Sequence, residues 1–197
     1  MPRSPRQLID GGCYHLIARG NNRQFIFTRP EAFEHFLSLL LRAKHRYPSR
    51  LYHYCLMSNH LHLLLQIEQA PHLPKFMQGL LQGYGRWYKG QAPFVGHLWQ
   101  GRYKSPRVHQ ESYFLEAGRY IERNPLRANL VADLKDYRWS SYRVYALGAQ
   151  DPLVDEDPYY AQLGTTPPAR QRAYREFVRL DSPYASVLDT HFLETAF

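Results

Sequence analysis

Two apolar runs near the middle of the chain constrain its fold more than any other feature. Residues 51–57 and residues 60–67 each have the length and hydrophobicity of a β-strand, and only Ser58 and Asn59 separate them. Small polar residues between two strand-like runs are typical of a turn or a bulge. The two runs therefore predict two consecutive strands of one sheet.

The flanking segments extend this pattern. A strand is predicted over residues 13–19, and helical spacing of apolar residues predicts helices from Pro30 to just before Pro48 and over residues 73–89. A short strand over residues 102–108 is expected at a sheet edge because it contains Pro106, and a helix over residues 111–124 is expected to stop at Pro125. The order strand–helix–strand–strand–helix–strand predicts an α+β fold: a ferredoxin-like split βαβ antiparallel sheet with helices on one face, plus a C-terminal helical extension.

Charge and composition divide the chain in two. Residues 1–150 contain 21 Lys and Arg against 9 Asp and Glu, a net charge of +12, whereas residues 151–197 contain 4 against 8, a net charge of −4. We predict a catalytic domain over residues 1–148 and an acidic linker with an accessory helical tail over residues 149–197. Two roles are open for the tail: it could fold over the basic surface and compete with a polyanionic ligand for that surface, or it could pack as a structural helix through Tyr174, Phe177 and Leu180.

The basic body suggests a polyanionic partner, because Lys and Arg bind phosphates with release of counterions. Aromatic residues interleaved with the cations favour nucleic acid, since aromatic rings stack on unpaired bases. For Trp99, packing in the core is as good an explanation as stacking on a base. With two cysteines and no long apolar segment, the chain has neither a disulfide framework nor a membrane span, which predicts a cytoplasmic protein without a membrane partner. The candidate DNA-binding residues are Arg86, Trp87, Trp99, Arg102, Lys104, Arg107, Arg119 and Arg123.

His60 and His62 are the first candidate chemical groups. Alternation along a strand places both imidazoles on one face, while Leu61 between them points into the core. Such a pair is suited to a divalent cation, although two histidines on one strand face are more often only a polar surface. His53, on the preceding strand, is expected to face away from the pair if the pleating is unbroken.

A second candidate element is the predicted helix that contains Tyr120 and Asn124. These residues lie four apart and share a helix face, so a phenol and an amide oxygen can approach the same cation. Taken alone, Tyr120 is explained as a core or boundary residue of the helix, and Asn124, which precedes Pro125, as a helix stop. Tyr113, seven residues before Tyr120 on roughly the same helix face, competes with it for this position, but it lacks an amide one turn later. His97, His109 and Glu116 are weaker candidates for metal or proton chemistry.

Four segments in this order resemble the HUH single-tyrosine transposases of the IS200-like superfamily, and within it the branch associated with repetitive extragenic palindromes (REP). They are residues 57–62 (MSNHLH), 98–103 (LWQGRY), 119–125 (RYIERNP) and 139–142 (WSSY), and the resemblance covers roughly residues 8–145. It implies that His60, His62 and Asn124 hold Mg²⁺ or Mn²⁺ and that Tyr120 is the nucleophile. It leaves residues 151–197 without a role.

The implied activity is nicking and rejoining of single-stranded DNA next to a hairpin, through a 5′-phosphotyrosine. The protein would act as a monomer or a homodimer. Two other hypotheses remain open: a non-catalytic binder of structured nucleic acid on the same fold, and a zinc hydrolase, which would require a third His, Cys or carboxylate ligand.

Overall fold

The computed structural model describes residues 7–91, 93–108 and 111–180, and it describes side chains in the last range from residue 114 onward. His109, the side chain of Tyr113 and residues 181–197 therefore lie outside the described part. The strands are β1 (Cys13–Arg19), β2 (Ser49–Met57), β3 (His60–Ile67) and β4 (Arg107–Val108). The helices are α1 (Pro30–Arg46), α2 (His72–Lys89), α3 (Glu111–Arg127), α4 (Tyr142–Leu147) and α5 (Pro167–Arg179). No helix in the described ranges is both long and apolar enough to cross a bilayer.

The four strands form one antiparallel sheet in the order β2-β3-β1-β4. This order confirms the predicted ferredoxin-like α+β fold. The edge strand is shorter than predicted: only Arg107 and Val108 join the regular ladder, and Lys104 forms a separate bridge to Ile17. Pro106 has no N–H to donate, but its carbonyl oxygen accepts from the backbone N–H of His15 (3.0 Å).

The two faces of the sheet carry different cores because successive side chains of a strand alternate between them. One face places Leu61, Leu63 and Leu65 of β3 under α1 and α2, in the larger core. The opposite face carries His60, His62 and Leu64, and α3 covers part of it. The helix with the candidate nucleophile therefore lies on the same face as the paired histidines.

Helix α3 does not stop at Pro125, as the sequence predicted, but continues to Arg127. Pro125 cannot donate the helical hydrogen bond that the carbonyl of Ile121 would normally accept. The side-chain amide of Asn124 supplies a substitute, because its Nδ2 donates to the carbonyl oxygens of Ile121 (3.1 Å) and Tyr120 (2.9 Å). This local repair carries the helix past the proline.

The segment predicted as a linker packs against the body. Asp155 exchanges hydrogen bonds with the backbone of Leu51 at the start of β2, and the hydroxyl of Tyr54 donates to Asp151 (2.7 Å). Its aspartates thus serve as hydrogen-bond acceptors. In α5, Tyr174 and Val178 are fully buried. These contacts favour the structural role that was left open for this helix.

Candidate active site

His60 and His62 lie side by side at the start of β3, with ring centroids 4.9 Å apart. His62 is buried and His60 is half-buried, and Leu61 between them is fully buried on the opposite face. The predicted arrangement of the pair on one strand face is therefore present. A rigid strand is a suitable support for two ligands of one cation.

The hydrogen bonds of the two imidazoles leave the same nitrogen of each ring for a ligand. Nδ1 of His60 is bonded to the side-chain oxygen of Asn59 (2.6 Å), and Nδ1 of His62 to Nε2 of His15 (2.8 Å). Nε2 of His62 is buried and has no hydrogen-bond partner among the described residues. A buried nitrogen without a partner is costly unless something else occupies its lone pair, so the pair fits a metal ion.

Both imidazoles are neutral at pH 7. Burial, helped by the charge of Arg19, lowers the pKa of His60 to about 4. Burial also lowers the pKa of His62 well below its usual range, and His60, His15 and Arg127 add to this effect. Neutral imidazole is the form that binds a metal, so both side chains are competent ligands over the physiological range.

Tyr120 projects from α3 into the same cluster. Its ring lies 6.0 Å from that of His62 and 5.9 Å from that of His15, edge-on in both cases. The guanidinium of Arg127 lies over the tyrosine ring, 5.2 Å from its centroid. Tyr120 is 5% exposed, so the phenol stands in a mostly enclosed, cationic environment that would attract a phosphate.

Asn124 follows Tyr120 by one turn of α3 and is half-buried. Because its amide nitrogen donates to two backbone carbonyls of the helix, its carbonyl oxygen is the atom that remains for a cation. An amide oxygen is a ligand that Mg²⁺ and Mn²⁺ accept. Two imidazole nitrogens and this oxygen form a donor set that fits such a cation.

The sequence did not indicate three further residues of the site. They are His15, which contacts both His62 and Tyr120, and the two cations Arg19 and Arg127. His15 and Arg19 belong to β1, whose register pairs Ile17 with His62 and Arg19 with His60. Knowledge of that strand pairing would have identified both residues.

His53 faces the same side of the sheet as His60 and His62, so the prediction that it faces away was wrong. The register pairs His53 with Leu64 and Cys55 with His62, with a bulge between Leu51 and His53. From His53 onward, odd-numbered residues of β2 therefore share a face with even-numbered residues of β3. His53 is nonetheless engaged elsewhere, between Glu122 and Asp157.

Two predicted DNA-binding residues line one surface cleft. Arg86 and Trp99 border a cleft of about 620 Å³ at the C-terminal end of α2, together with Lys89 and His97. The indole of Trp99 also donates to the carbonyl oxygen of Leu81 (2.9 Å), so this residue packs as well as lines the cleft. The segment that contains Trp99 is joined to the sheet, because Trp99 bridges to Gly20 directly after β1.

The other candidates are dispersed. Arg102 and Arg107 are exposed near the β4 edge, Lys104 is half-buried opposite Ile17, and Trp87 stacks on His35 of α1 at 4.6 Å. Because they are exposed, Arg102 and Arg107 are accessible to a nucleic acid. Trp87 is held by packing between helices.

Arg119 and Arg123, which were predicted to bind DNA, both contact the end of α5. Arg119 is 5% exposed, forms an ion pair with Glu116, lies over the ring of Phe177 (4.5 Å) and donates to the carbonyl oxygen of Leu180. Arg123 donates to the same carbonyl. The two side chains thus join α3 to the end of α5, which argues against a DNA contact by Arg119.

No cluster of three or more His, Cys, Asp and Glu side chains suited to a metal is found within the described ranges. The hypothesis of a zinc hydrolase therefore gains no support from this part of the chain, since it requires a third ligand of that kind.

A ferredoxin-like sheet whose central strand presents a His-hydrophobic-His pair to a tyrosine-bearing helix defines the HUH class of DNA-processing proteins. The family model described as "Transposase IS200 like" matches residues 10–124, and the chain belongs to this family of transposases. No curated protein matches the sequence.

Two solved structures resemble the chain. A REP-associated tyrosine transposase bound to a REP hairpin superimposes with a TM-score of 0.64 at 16% identity, over 80% of this chain and 93% of the other. A proposed transposase from Deinococcus radiodurans R1 gives a TM-score of 0.44 at 21% identity, over 62% and 97% of the two chains. The first likeness supports the fold described above.

Proposed function

We propose that the protein is a metal-dependent strand transferase that nicks and rejoins single-stranded DNA beside a hairpin, with Tyr120 as the nucleophile. The observation that carries this proposal is the convergence of the Tyr120 ring on His62 within 6.0 Å. Asn124 lies one turn further along the same helix, and His60 lies beside His62. One chain supplies all four groups, so the proposal requires no second copy.

Each residue has a defined part in the reaction. His60, His62 and Asn124 would hold Mg²⁺ or Mn²⁺, which when bound polarises a phosphoryl oxygen and orients the scissile phosphate. The Tyr120 oxygen attacks phosphorus, so that a bond from phosphorus to the phenolic oxygen replaces the bond to the 3′-oxygen. The phenolic proton ends on the released 3′-hydroxyl. Arg127 and Arg19 offset the negative charge of the phosphate.

The 5′-phosphotyrosine retains the energy of the broken phosphodiester, so attack by another 3′-hydroxyl restores a DNA strand without ATP. The free phenol, with a pKa near 10, is a weak nucleophile at neutral pH. The guanidinium of Arg127, 5.2 Å from the centroid of the Tyr120 ring, can offset the negative charge that develops on the phenolic oxygen during attack.

A hairpin-flanked single strand fits the surface better than a plain duplex. Tyr120 is mostly enclosed, so the phosphate that it attacks belongs to an unpaired, flexible strand. The cleft with Arg86, Lys89 and Trp99 offers cations and an aromatic edge to an unpaired strand. The structurally similar transposase bound to a REP hairpin supports the same substrate class. A cytoplasmic location follows if the substrate is bacterial chromosomal DNA.

The test is formation of a covalent adduct. Labelled single-stranded hairpins from the source genome are incubated with protein and Mn²⁺ and resolved on a denaturing gel. The expected result is an adduct with the wild type and with Tyr113→Phe, and none with Tyr120→Phe or in excess EDTA. Tyr120→Phe should still bind hairpin DNA, because only a hydroxyl is removed.

Two outcomes would contradict the proposal. Binding of the hairpin by the wild type without any adduct would favour the non-catalytic binder. An adduct that mass spectrometry maps to a residue other than Tyr120 would show that the nucleophile is assigned incorrectly.

A further inference from the structure

A carboxylate on the opposite side of α3 from the site gathers several buried hydrogen bonds. Glu122 is fully buried, and three side chains donate to it: His53 through Nδ1 (2.9 Å), Ser141 through its hydroxyl (2.5 Å) and Tyr174 through its hydroxyl (2.6 Å). A buried carboxylate is tolerated only with such compensation. Three donors on one carboxyl group therefore fix its position closely.

The second ring nitrogen of His53 extends the network to Asp157, with Nε2 3.0 Å from the carboxylate. An imidazolium carries a proton on each ring nitrogen and can donate to both carboxylates at once. Burial by itself lowers the pKa of His53, but hydrogen bonds and charge from Asp157 and Glu122 raise it to about 9. The result is a buried carboxylate–imidazolium–carboxylate chain.

The residues of this network come from separate parts of the chain. His53 belongs to β2, whereas Ser141, Asp157 and Tyr174 all follow residue 124, where the match to the family model ends. The C-terminal third of the protein thus reaches Glu122 of α3 directly, through Ser141 and Tyr174, and indirectly, through the contact of Asp157 with His53. Gly118 permits the close approach, because a Cβ at this position would lie 2.5 Å from Nε2 of His53.

Because Glu122 lies on the same helix as Tyr120 and Asn124, the contacts of Glu122 affect where those two side chains lie. Successive residues of an α-helix are rotated by about 100°, so Glu122 points away from the face that Tyr120 and Asn124 share. A constraint on Glu122 fixes the rotation of α3 about its axis. That rotation decides how far the phenol and the amide lie from His62.

We infer that Glu122 is a positioning residue, and that its buried network with His53, Ser141, Asp157 and Tyr174 holds α3 in the rotation that brings Tyr120 to the paired histidines. The C-terminal extension is then part of the catalytic apparatus through its hold on α3. This inference rests on the proposed role of Tyr120 as the nucleophile.

The experiment compares Glu122→Gln and Tyr174→Phe with a matched control, Tyr160→Phe. Tyr160 is also a buried tyrosine of the extension, but its hydroxyl donates to the carbonyl oxygen of Tyr145 (2.7 Å) and not to α3. Loss of one buried hydrogen bond should lower the Tm of either tyrosine variant by about 2–4 °C. Rates of adduct formation are measured at saturating hairpin DNA and Mn²⁺, well below every Tm.

A positioning role predicts a loss of rate without a loss of binding. Glu122→Gln should form the adduct about tenfold more slowly, or worse, because small displacements of a nucleophile are costly. Tyr174→Phe should be slowed in the same direction, and Tyr160→Phe should react at the wild-type rate. The Kd values for hairpin DNA and for Mn²⁺ should stay within about twofold of wild type in all three variants, since none removes a ligand or a DNA contact.

A second measurement requires no activity. With 3-fluorotyrosine placed at position 120, the ¹⁹F spectrum should show one resonance in the wild type and in Tyr160→Phe. The resonance should be shifted or split in Glu122→Gln and Tyr174→Phe. The inference would be overturned if Glu122→Gln and Tyr174→Phe both matched Tyr160→Phe in rate and in spectrum. If the wild type forms no adduct, the proposed function fails, and the ¹⁹F spectra still decide whether Glu122 positions α3.

Discussion

Gly118→Ala tests directly whether the close packing of α3 on β2 controls the site. The added Cβ would lie 2.5 Å from Nε2 of His53 and 2.7 Å from Cδ2 and Cε1 of the same ring. Normal contact is about 3.5 Å or more, so the helix or the ring must move by roughly 1 Å. The ring is held by Glu122 on one side and Asp157 on the other, so displacement of α3 is the expected response.

The expected change in the stability of Gly118→Ala is the difference between two opposing effects. Overpacking of a buried position costs about 1–3 kcal/mol, and replacement of glycine by alanine inside a helix returns about 1 kcal/mol. The net loss of roughly 0–2 kcal/mol should lower the Tm by at most about 8 °C. Because Tyr120 is two residues away, a shift near 1 Å should slow adduct formation roughly 100-fold.

The assay combines thermal unfolding with single-turnover adduct formation, and Gly79→Ala is the matched control. Gly79 is exposed in α2, and a Cβ there would meet nothing within 4 Å. This variant should gain about 0.5–1 kcal/mol of stability and react like the wild type. If Gly118→Ala is as stable and as active as Gly79→Ala, the argument that α3 is seated on His53 is refuted.

Three further predictions concern the metal, the extension and pH. His15→Ala should weaken Mn²⁺ binding about 10–100-fold by calorimetry, because Nδ1 of His62 loses its partner, and His15→Gln should recover part of the loss. Deletion after Gly148 should lower the Tm by roughly 10 °C, because buried His53 would lose Asp157 and buried Glu122 would lose Tyr174. Tighter DNA binding at an unchanged Tm would instead favour a regulatory role for the tail. The pKa of His53 is raised to about 9, so its contribution to stability is complete below about pH 6.5 and is lost as the pH rises through about 9. The Tm should fall over that range, and less so in Glu122→Gln.

Local patterns were sufficient for much of the fold. Apolar periodicity predicted β1, β2, β3 and the two helices that cover one face of the sheet, because each pattern depends on residues close in sequence. The same alternation placed His60 and His62 together on β3. The end of α3 was predicted incorrectly because the side-chain amide of Asn124 replaces the hydrogen bond that Pro125 cannot make.

The sequence by itself determined the family and the pair of histidines on one strand, since both are recorded in short contiguous motifs. Only the tertiary structure decided that His15 supports His62, that His53 faces α3, and that Arg119 contacts the end of α5. Each of these assignments depends on strand register or on contacts between residues more than 40 positions apart. No local pattern specifies such pairs, because the partner of a buried polar group is chosen when the whole core packs.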